Sequence, residues 1–204
     1  MQNKPKVLNL YAGIGGNRKL WDASVVAVEL SSEIASIYSK LFPQDIIIIG
    51  DAHSYLIDHY EEFDFIWSSP PCQTHSKMDR VNPRNKPRYP DMSLYQEILF
   101  LKTYCKTKWV VENVKPYYKP LIPPTTQVGR HYFWSNFSFL VADVKRPSNF
   151  INLTTVAGAE KLKKWLGLEY EGNVYTKSSH CPAQVLRNCV HPKIGLAILK
   201  QAFC

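Results

Sequence analysis

The cysteine at position 72 has the setting best suited to covalent chemistry. It lies in Ser68-Ser69-Pro70-Pro71-Cys72-Gln73, where two prolines fix φ and hold the approach to the thiol rigid. A lone cysteine is more often a small apolar core residue, which is the alternative interpretation. Because only the thiolate attacks, we expect nearby positive charge to lower the pKa of Cys72.

A second candidate for chemistry is the carboxyl group of Glu112. It follows the apolar run Trp109-Val110-Val111, and a carboxylate there is costly to bury unless it is paired or protonated. Such a group is suited to donate a proton to a heterocycle or to share one with it. A surface glutamate at the end of a strand is the alternative.

Three features point to a nucleoside-containing ligand. Tyr11-Ala12-Gly13-Ile14-Gly15-Gly16 follows a first apolar segment, Glu29 ends a second, and Asp51 follows a third. Glycines let the backbone approach a ligand, and an acidic group at Glu29 can accept hydrogen bonds from ribose hydroxyls. Asp51 could bind the exocyclic amine of an adenine, or it could be a turn residue. The turn lacks a full GxGxxG pattern, which argues against NAD.

These residues require a framework of alternating strands and helices. Parallel strands with helices on both faces of the sheet are the expected architecture, because the strand segments are continuously apolar. The predicted strands are Val7–Tyr11, Val25–Glu29, Ile46–Ile49, Phe63–Trp67 and Trp109–Val111. The predicted helices are Asn17–Ala23, a segment capped by Ser31 or Ser32 and running to Leu41, Tyr55–Tyr60 and Ser93–Cys105.

The second half of the chain is less regular. Tyr132–Leu140 is predicted as an antiparallel hairpin strand and His191–Phe203 as a closing helix. Residues 142–183 lack clear periodicity apart from a possible helix over Glu160–Leu166.

The charge balance favours a polyanionic partner. The 204 residues carry a net charge of +8, and phosphate contacts supply much of the affinity for nucleic acids. The proline-bearing loop from Thr74 to Pro90 suits a phosphate backbone; its basic residues are Lys77, Arg80, Arg84, Lys86 and Arg88. A basic surface without a specific partner is the alternative.

Other classes of protein are disfavoured. The sequence has no apolar run long enough for a membrane span, and its start resembles no signal peptide, so a cytoplasmic protein is expected. The five cysteines form no CxxC pair, which argues against a structural zinc site. No metal is predicted, and a monomer is the expected state.

In their order and spacing, these motifs resemble those of the cytosine-5 DNA methyltransferase family. The cofactor turn over residues 11–16, Glu29 and Asp51 come first, followed by the Pro-Pro-Cys-Gln motif, with Ser76 where the family often has serine. Glu112-Asn113-Val114 matches the family's Glu-Asn-Val. Arg187-Asn188-Cys189-Val190 resembles its Gly-Asn-x-Val segment, which closes over the cofactor.

The resemblance implies an α/β, Rossmann-like, S-adenosylmethionine-dependent methyltransferase fold with a mixed, mainly parallel sheet. It implies a catalytic domain over residues 1–140 and 184–204, with a reduced target-recognition region over 141–183. The cofactor would be S-adenosyl-L-methionine, and the product S-adenosyl-L-homocysteine. Its expected contacts are the 11–16 turn together with Glu29, Leu30, Asp51, Ala52, Pro70, Asn188 and Val190.

The resemblance also implies a mechanism on a DNA substrate. The Cys72 thiolate adds to C6 of a cytosine flipped out of the duplex, Glu112 contacts N3 and the 4-amino group, and C5 becomes the methyl acceptor. The expected DNA contacts are Gln73, Ser76, Lys77, Arg80 and Arg84.

Two departures from the family pattern stand out. The family's Gln-x-Arg-x-Arg motif appears as Gln127-Val128-Gly129-Arg130-His131, so Gly129 and His131 hold the arginine positions. Arg130 is carried over as a catalytic candidate, with a phosphate contact or a surface charge as alternatives. Tyr132-Phe133-Trp134-Ser135-Asn136 instead resembles short-domain members of the family, including the animal de novo enzymes. Asn9 also replaces a common acidic residue before the cofactor turn.

The second departure is the short interval over 141–183, which predicts a short or weakly specific target site because base readout needs several side chains in a groove. Basic residues there are candidates for backbone contacts: Lys145, Arg146, Lys161, Lys163 and Lys164. A solvated helix face is the alternative.

Three other functions stay open. A tRNA cytosine-5 methyltransferase would share these motifs, although that subfamily carries a Cys-Phe-Thr tripeptide that is absent here. A catalytically silent nucleic-acid-binding regulator is disfavoured by Cys72 and Glu112. Transfer of another group from a modified cofactor is the third. The biological role, such as the modification half of a restriction-modification pair, is not readable from the sequence.

Overall fold

The computed structural model describes residues 4–77, 89–175 and 181–204. Within these ranges the strands are β1 (Lys6–Leu10), β2 (Ser24–Glu29), β3 (Ile46–Ile49), β4 (Phe65–Ser68), β5 (Lys108–Val114), β6 (Thr126–Val128) and β7 (His131–Ser135). The α-helices are α1 (Ser32–Leu41), α2 (Ala52–His59), α3 (Ser93–Tyr104), α4 (Val156–Leu166), α5 (Gln184–Asn188) and α6 (Pro192–Ala202).

The seven described strands form one mixed sheet in the order β3–β2–β1–β4–β5–β7–β6. The first five are parallel, whereas β7 runs antiparallel to both β5 and β6. This confirms the predicted α/β fold with a mainly parallel sheet and an antiparallel hairpin. Parallel pairing of β4 with β5 brings the carboxyl ends of these two strands to the same edge.

Helices cover both faces of the sheet, as predicted. Alternate residues of β1 serve the two faces, with Val7 in one core and Leu8 in the other, because successive side chains of a strand point in opposite directions. The first core is built on α1, α4, α5 and α6, through residues such as Tyr38, Leu162, Leu186 and Ile198. The second is built on α2 and α3, through residues such as Leu56, Leu94, Ile98 and Leu101.

The predicted helix starts follow from capping side chains. The Ser31 hydroxyl accepts a hydrogen bond from the Ile34 N–H at the start of α1, which selects Ser31 over Ser32 as the N-cap. Asp51 caps α2 in the same way, with Oδ1 2.8 Å from the Ser54 nitrogen. This helix therefore begins at Ala52, three residues before the predicted start.

The helix predicted over Asn17–Ala23 is wrong, because the segment forms successive turns. The Arg18 side chain is buried and forms an ion pair with Asp45, with Nε 2.6 Å from Oδ2. Its Nη1 also donates to the Trp21 carbonyl at 2.8 Å. A guanidinium that binds a carbonyl three residues ahead stabilises a turn, since that carbonyl would accept from a backbone N–H in a continued helix.

Residues 141–183 share the core of the sheet. Phe150, Leu162, Leu168 and Val174 belong to the same buried cluster as Ile198 of α6. The N-cap of α4 is Thr155, whose hydroxyl accepts from the Gly158 N–H, and the C-cap is Gly167 in the left-handed region, so the helix itself spans Val156–Leu166. This helix therefore starts four residues before the predicted Glu160.

Candidate active site

A cleft of about 930 Å³ lies at the carboxyl edge of the parallel strands. It brings together residues from three sets of motifs that are far apart in the sequence. The predicted site residues that line it are Tyr11, Ala12, Gly13, Gly16, Glu29, Leu30, Asp51, Ala52, Pro70, Cys72, Gln73, Glu112, Asn188 and Val190.

The loop that carries Cys72 is tied to the strand that carries Glu112. Asn113 Nδ2 donates to the Pro70 carbonyl at 2.9 Å, and Asn113 Oδ1 accepts from the Val114 N–H at 2.9 Å. Asn113 is buried, so both bonds are shielded from competing water. Cys72 and Glu112 consequently face one cleft from neighbouring strand ends.

The expected lowering of the Cys72 pKa is wrong for the free protein. Burial of the thiol raises its pKa to about 11, and the negative charge of Glu112 raises it as well. The positive charge of Arg130 acts in the opposite direction and is outweighed. Cys72 is therefore a thiol at neutral pH until the charges around it change.

Glu112 has a partner that the sequence motifs did not assign. Its Oε1 lies 2.9 Å from Nδ1 of His131, and both side chains are largely buried. The register pairs Glu112 with Phe133. His131 precedes Phe133 by two residues, so its side chain projects from the same face of the sheet, beside Glu112.

Arg130 does not line the cleft. It contacts His131 on the side of the ring away from Glu112. Its Nε donates to His131 Nε2 at 2.9 Å, and its Nη2 donates to the Arg187 carbonyl. Gly129 has φ +55°, and a Cβ there would lie 2.5 Å from an oxygen of Asp143. The positive φ and the nearby Asp143 side chain disfavour an arginine at position 129, and the turn places Arg130 beside His131.

The cofactor turn is held by Glu29. The Gly13 N–H donates to Oε2 of Glu29 at 2.9 Å, and the Ser31 N–H donates to Oε1 at 3.0 Å. A carboxylate offers about four acceptor positions, so capacity remains for ribose hydroxyls. A Cβ on Gly13 would meet nothing within 4 Å, which leaves open space for a ligand beside the backbone.

Other residues of the turn face inward. Ile14 is fully buried in the core, and a Cβ on Gly15 would collide with the Phe42 ring at 2.3 Å. Neither residue lines the cleft. Gly16 meets the closing segment, because a Cβ there would lie 2.5 Å from the Cys189 Cβ.

The remaining predicted cofactor residues lie along the rim. The backbone hydrogen bond from Ser54 lowers the pKa of Asp51, which keeps its carboxylate ionised at neutral pH while it caps α2. Leu30 is 74% exposed and offers an apolar surface in the cleft. Asn9 is buried and accepts a hydrogen bond from Asn17 Nδ2 at 2.8 Å, so an amide pair supports the base of the turn.

The predicted DNA contacts are only partly described. Gln73 is exposed and lines the cleft. Lys77 is exposed but is not among the residues that line the cleft. Ser76 forms an isolated bridge with Pro116. Arg80 and Arg84 lie outside the described residues.

The prediction that Lys163 contacts a nucleic-acid backbone is wrong. Its ammonium is buried and donates to the carbonyls of Tyr170 at 3.0 Å and Gly172 at 2.8 Å. It also pairs with Glu160 at 2.8 Å. These bonds fix the chain after α4. They use the donors of the ammonium, which is therefore not available to a phosphate.

A buried carboxyl group behind the cleft was not predicted. Glu97 accepts from the Ser68 hydroxyl at 2.7 Å and from the Tyr11 hydroxyl at 2.9 Å. Burial raises the pKa of Glu97 to about 7. Tyr11 has φ +53°, which a non-glycine residue rarely adopts. Its bond to Glu97 ties the cofactor turn to α3, and the Ser68 bond ties the same carboxyl group to β4. The sequence around Glu97 shows only the apolar spacing of α3, which predicts a helix but gives no sign of a buried carboxyl group.

Neither a metal centre nor a membrane span was found in the parts of the chain that the structure describes. No group of three or more His, Cys, Asp or Glu side chains there could hold a metal ion. None of the described helices is long and apolar enough to cross a membrane.

Solved structures resemble this fold at low sequence identity. DNMT2 of Spodoptera frugiperda (crystallised as an E260A/E261A/K263A mutant) matches with a TM-score of 0.60 and 14% identity, covering 98% of this chain and 100% of that one. An S-adenosylmethionine-dependent methyltransferase of Agrobacterium tumefaciens matches with a TM-score of 0.40 and 15% identity, covering 58% and 41%. No curated protein matched the chain in sequence.

The family is established by sequence. The model of the C-5 cytosine-specific DNA methylases matches residues 5–121, which is more than half of the chain and includes the cofactor turn, Cys72 and Glu112. The cofactor is S-adenosylmethionine, and the Glu29 carboxylate and the open space beside Gly13 fit its ribose. By this match over most of its sheet, the chain belongs to the C-5 cytosine-specific DNA methylase family.

Proposed function

We propose that this protein methylates C5 of cytosine in DNA through a covalent bond between Cys72 and C6 of the base. The observation that carries the proposal is the shared position of Cys72 and Glu112 in one cleft with the cofactor turn. The Asn113–Pro70 hydrogen bond holds the two motifs together. The net charge of +8 supports a nucleic-acid substrate.

The protonation states of Cys72 and Glu112 are coupled through their charges. The charge of Glu112 is one cause of the raised pKa of Cys72, so a proton on Glu112, or its bond to the base, favours loss of the thiol proton. The same coupling makes the carboxylate easier to protonate when the thiolate forms. Entry of a cytosine between the two groups would thus activate the nucleophile, which is otherwise a thiol at neutral pH.

The proposed steps balance on the base. The thiol proton passes to Glu112, a sulfur electron pair forms the bond to C6, the ring electrons move toward N3, and Glu112 passes the proton on to N3. When bound, S-adenosylmethionine supplies the electrophilic methyl group that the activated C5 accepts. Glu112 then takes the proton back from N3, a base removes the C5 proton, and the C–S bond breaks, so the aromatic ring and the free cysteine are restored.

The cofactor would be held by the turn and the closing segment. Glu29 would accept hydrogen bonds from the ribose, and Leu30 and Asp51 would contact the adenine end of the cleft. Asn188 and Val190 would close over it, since Cys189 between them packs on Gly16. Gln73 and Lys77 would contact DNA, together with Arg80 and Arg84.

The test is methyl transfer from labelled S-adenosylmethionine to matched DNA and RNA, followed by identification of the modified nucleoside. We expect 5-methylcytosine in DNA with the wild type and none with Cys72→Ala. Glu112→Gln should slow turnover by at least about 10²-fold, in the range for a positioned acid or base. Cys204→Ala, which changes an exposed cysteine, is the matched control and should retain activity.

Two outcomes would overturn the proposal. Methylation of RNA without methylation of DNA would show a tRNA-type substrate. Binding of S-adenosylmethionine without any 5-methylcytosine would indicate a silent regulatory relative.

A further inference from the structure

His131 connects Glu112 to an arginine in a short chain of side chains. Its Nδ1 lies 2.9 Å from Oε1 of Glu112, and its Nε2 lies 2.9 Å from Nε of Arg130. All three residues lie on or beside the β5–β7 pair, where the antiparallel register fixes their spacing.

The arginine determines where the histidine proton lies. An arginine Nε–H can only donate a hydrogen bond, so Nε2 of His131 must accept and carries no proton. A neutral imidazole then has its proton on Nδ1, the nitrogen that faces Glu112. Arg130 therefore donates to Nε2 of His131, and the proton-bearing Nδ1 of the same ring lies 2.9 Å from Oε1 of Glu112.

Arg130 is held in place by several contacts of its own. Its Nη2 donates to the Arg187 carbonyl, and its guanidinium lies 5.2 Å from the centre of the Phe150 ring. Arg187 belongs to α5, which leads into the closing segment at Asn188 and Val190. Arg130 is thus held by α5 and by the Phe150 ring, and it holds Nε2 of His131 in turn.

We propose that His131 is the positioning residue for Glu112 and that Arg130 acts through it, rather than on the substrate. Resting on the function proposed above, this assigns Oε1 of Glu112 to His131 and leaves Oε2 for the base. The imidazole contacts the carboxylate at Oε1 through Nδ1, and Oε2 stays available to accept a proton and return it.

The experiment compares three substitutions of His131. In Asn, the amide nitrogen is attached to Cγ, as Nδ1 is in histidine, so the donor to Glu112 is kept and the acceptor for Arg130 is lost. In Gln, the amide lies closer to the place of Nε2, so the donor to Glu112 is lost. Leu removes both.

We expect His131→Leu and His131→Gln to lower kcat by between about 10-fold and 10²-fold, with KM for DNA changed by less than about twofold. His131→Asn should recover most of the loss. If His131→Asn is as slow as His131→Leu, or if all three variants match the wild type, the positioning role is wrong. Thermal melting of each variant shows whether it is folded.

A second readout does not depend on activity. Ring ¹⁵N chemical shifts of His131, assigned by comparison with His131→Asn, report which nitrogen carries the proton. We expect protonated Nδ1 and unprotonated Nε2 near neutral pH, and a mixture of tautomers in Arg130→Met. A protonated Nε2 in the wild type would overturn the assignment. If the wild type makes no 5-methylcytosine, the proposed function fails while this measurement still decides the hydrogen-bond chain.

Discussion

Asn113 donates to the carbonyl of Pro70 at 2.9 Å, so the strand that carries Glu112 holds the loop that carries Cys72. The side chain is buried, and its oxygen is also used by the Val114 N–H. This amide, together with the pairing of β4 and β5, links the loop of the thiol to the strand of the carboxylate.

Replacement of Asn113 by Ala should reduce kcat by about tenfold or more, because the Pro70 loop loses its link to β5. The loss of a buried hydrogen bond should lower the free energy of unfolding by about 1–3 kcal/mol. Methyl transfer and chemical denaturation measure the two effects.

Asn136→Ala is the matched control for this prediction. Asn136 makes similar bonds at the opposite end of β5, with Nδ2 2.7 Å from the Thr107 carbonyl and Oδ1 3.0 Å from the Trp109 nitrogen. Its loss should destabilise the fold with little change in kcat for the remaining folded protein. Equal losses of kcat in both variants would show that Asn113 acts only through stability.

The reactivity of Cys72 should follow its raised pKa. Alkylation of the free protein, followed at the Cys72 peptide by mass spectrometry, should be slow at neutral pH. It should rise about tenfold per pH unit toward a pKa of about 11. Glu112→Gln removes a charge that raises this pKa and should speed alkylation, although it slows turnover.

Arg130→Met should have the opposite effect on alkylation, because the positive charge of Arg130 lowers the pKa of Cys72. The two variants therefore form a pair with opposite expected signs. An ordinary free cysteine has a pKa of about 8.5. If the alkylation rate reaches a plateau below that pH, the pKa of Cys72 is not raised.

The buried Glu97 should give the fold a distinct dependence on pH. Its folded pKa is about 7 against an ordinary value of 4.5, so the folded state binds the proton more tightly than the unfolded state. The free energy of unfolding should then fall as the pH rises from 4.5 to 7, by at most about 3 kcal/mol.

Glu97→Gln should remove this contribution, because the amide keeps a similar shape and does not titrate. Glu169→Gln, at an exposed position, should leave the pH dependence intact. Denaturation curves across the window measure both variants. An unchanged pH dependence in Glu97→Gln would contradict the shifted pKa.

Much of the site was predictable because it depends on strand ends. Cys72 and Glu112 each follow an apolar strand, and neighbouring parallel strands end at the same edge of a sheet. The same reasoning placed Glu29 and Asp51 beside the glycine turn. Local capping chemistry further predicted that α1 starts at Ser31 or Ser32, and the structure places the N-cap at Ser31.

What the sequence could not supply was side-chain geometry across elements. The contact of His131 with Glu112 depends on the register of β5 with β7, which no motif encodes. The pKa of Cys72 was predicted in the wrong direction for a similar reason. Burial and the charge of Glu112 raise this pKa more than the charge of Arg130 lowers it, and their balance depends on positions that the sequence does not give. Arg18 lies in the segment predicted as a helix but pairs with Asp45. Lys163, a predicted nucleic-acid contact, instead donates to the Tyr170 carbonyl.

The most direct test of the account is incubation of the protein with S-adenosylmethionine and DNA that contains 5-fluorocytosine. Fluorine cannot leave C5 as a proton does, so the proposed reaction must stop while Cys72 is still bonded to C6. We predict a denaturation-resistant complex whose cross-linked peptide contains Cys72, present in Cys204→Ala and absent in Cys72→Ala. If 5-methylcytosine forms in ordinary DNA while no such complex accumulates, or if the cross-link maps to another residue, the role of Cys72 is contradicted.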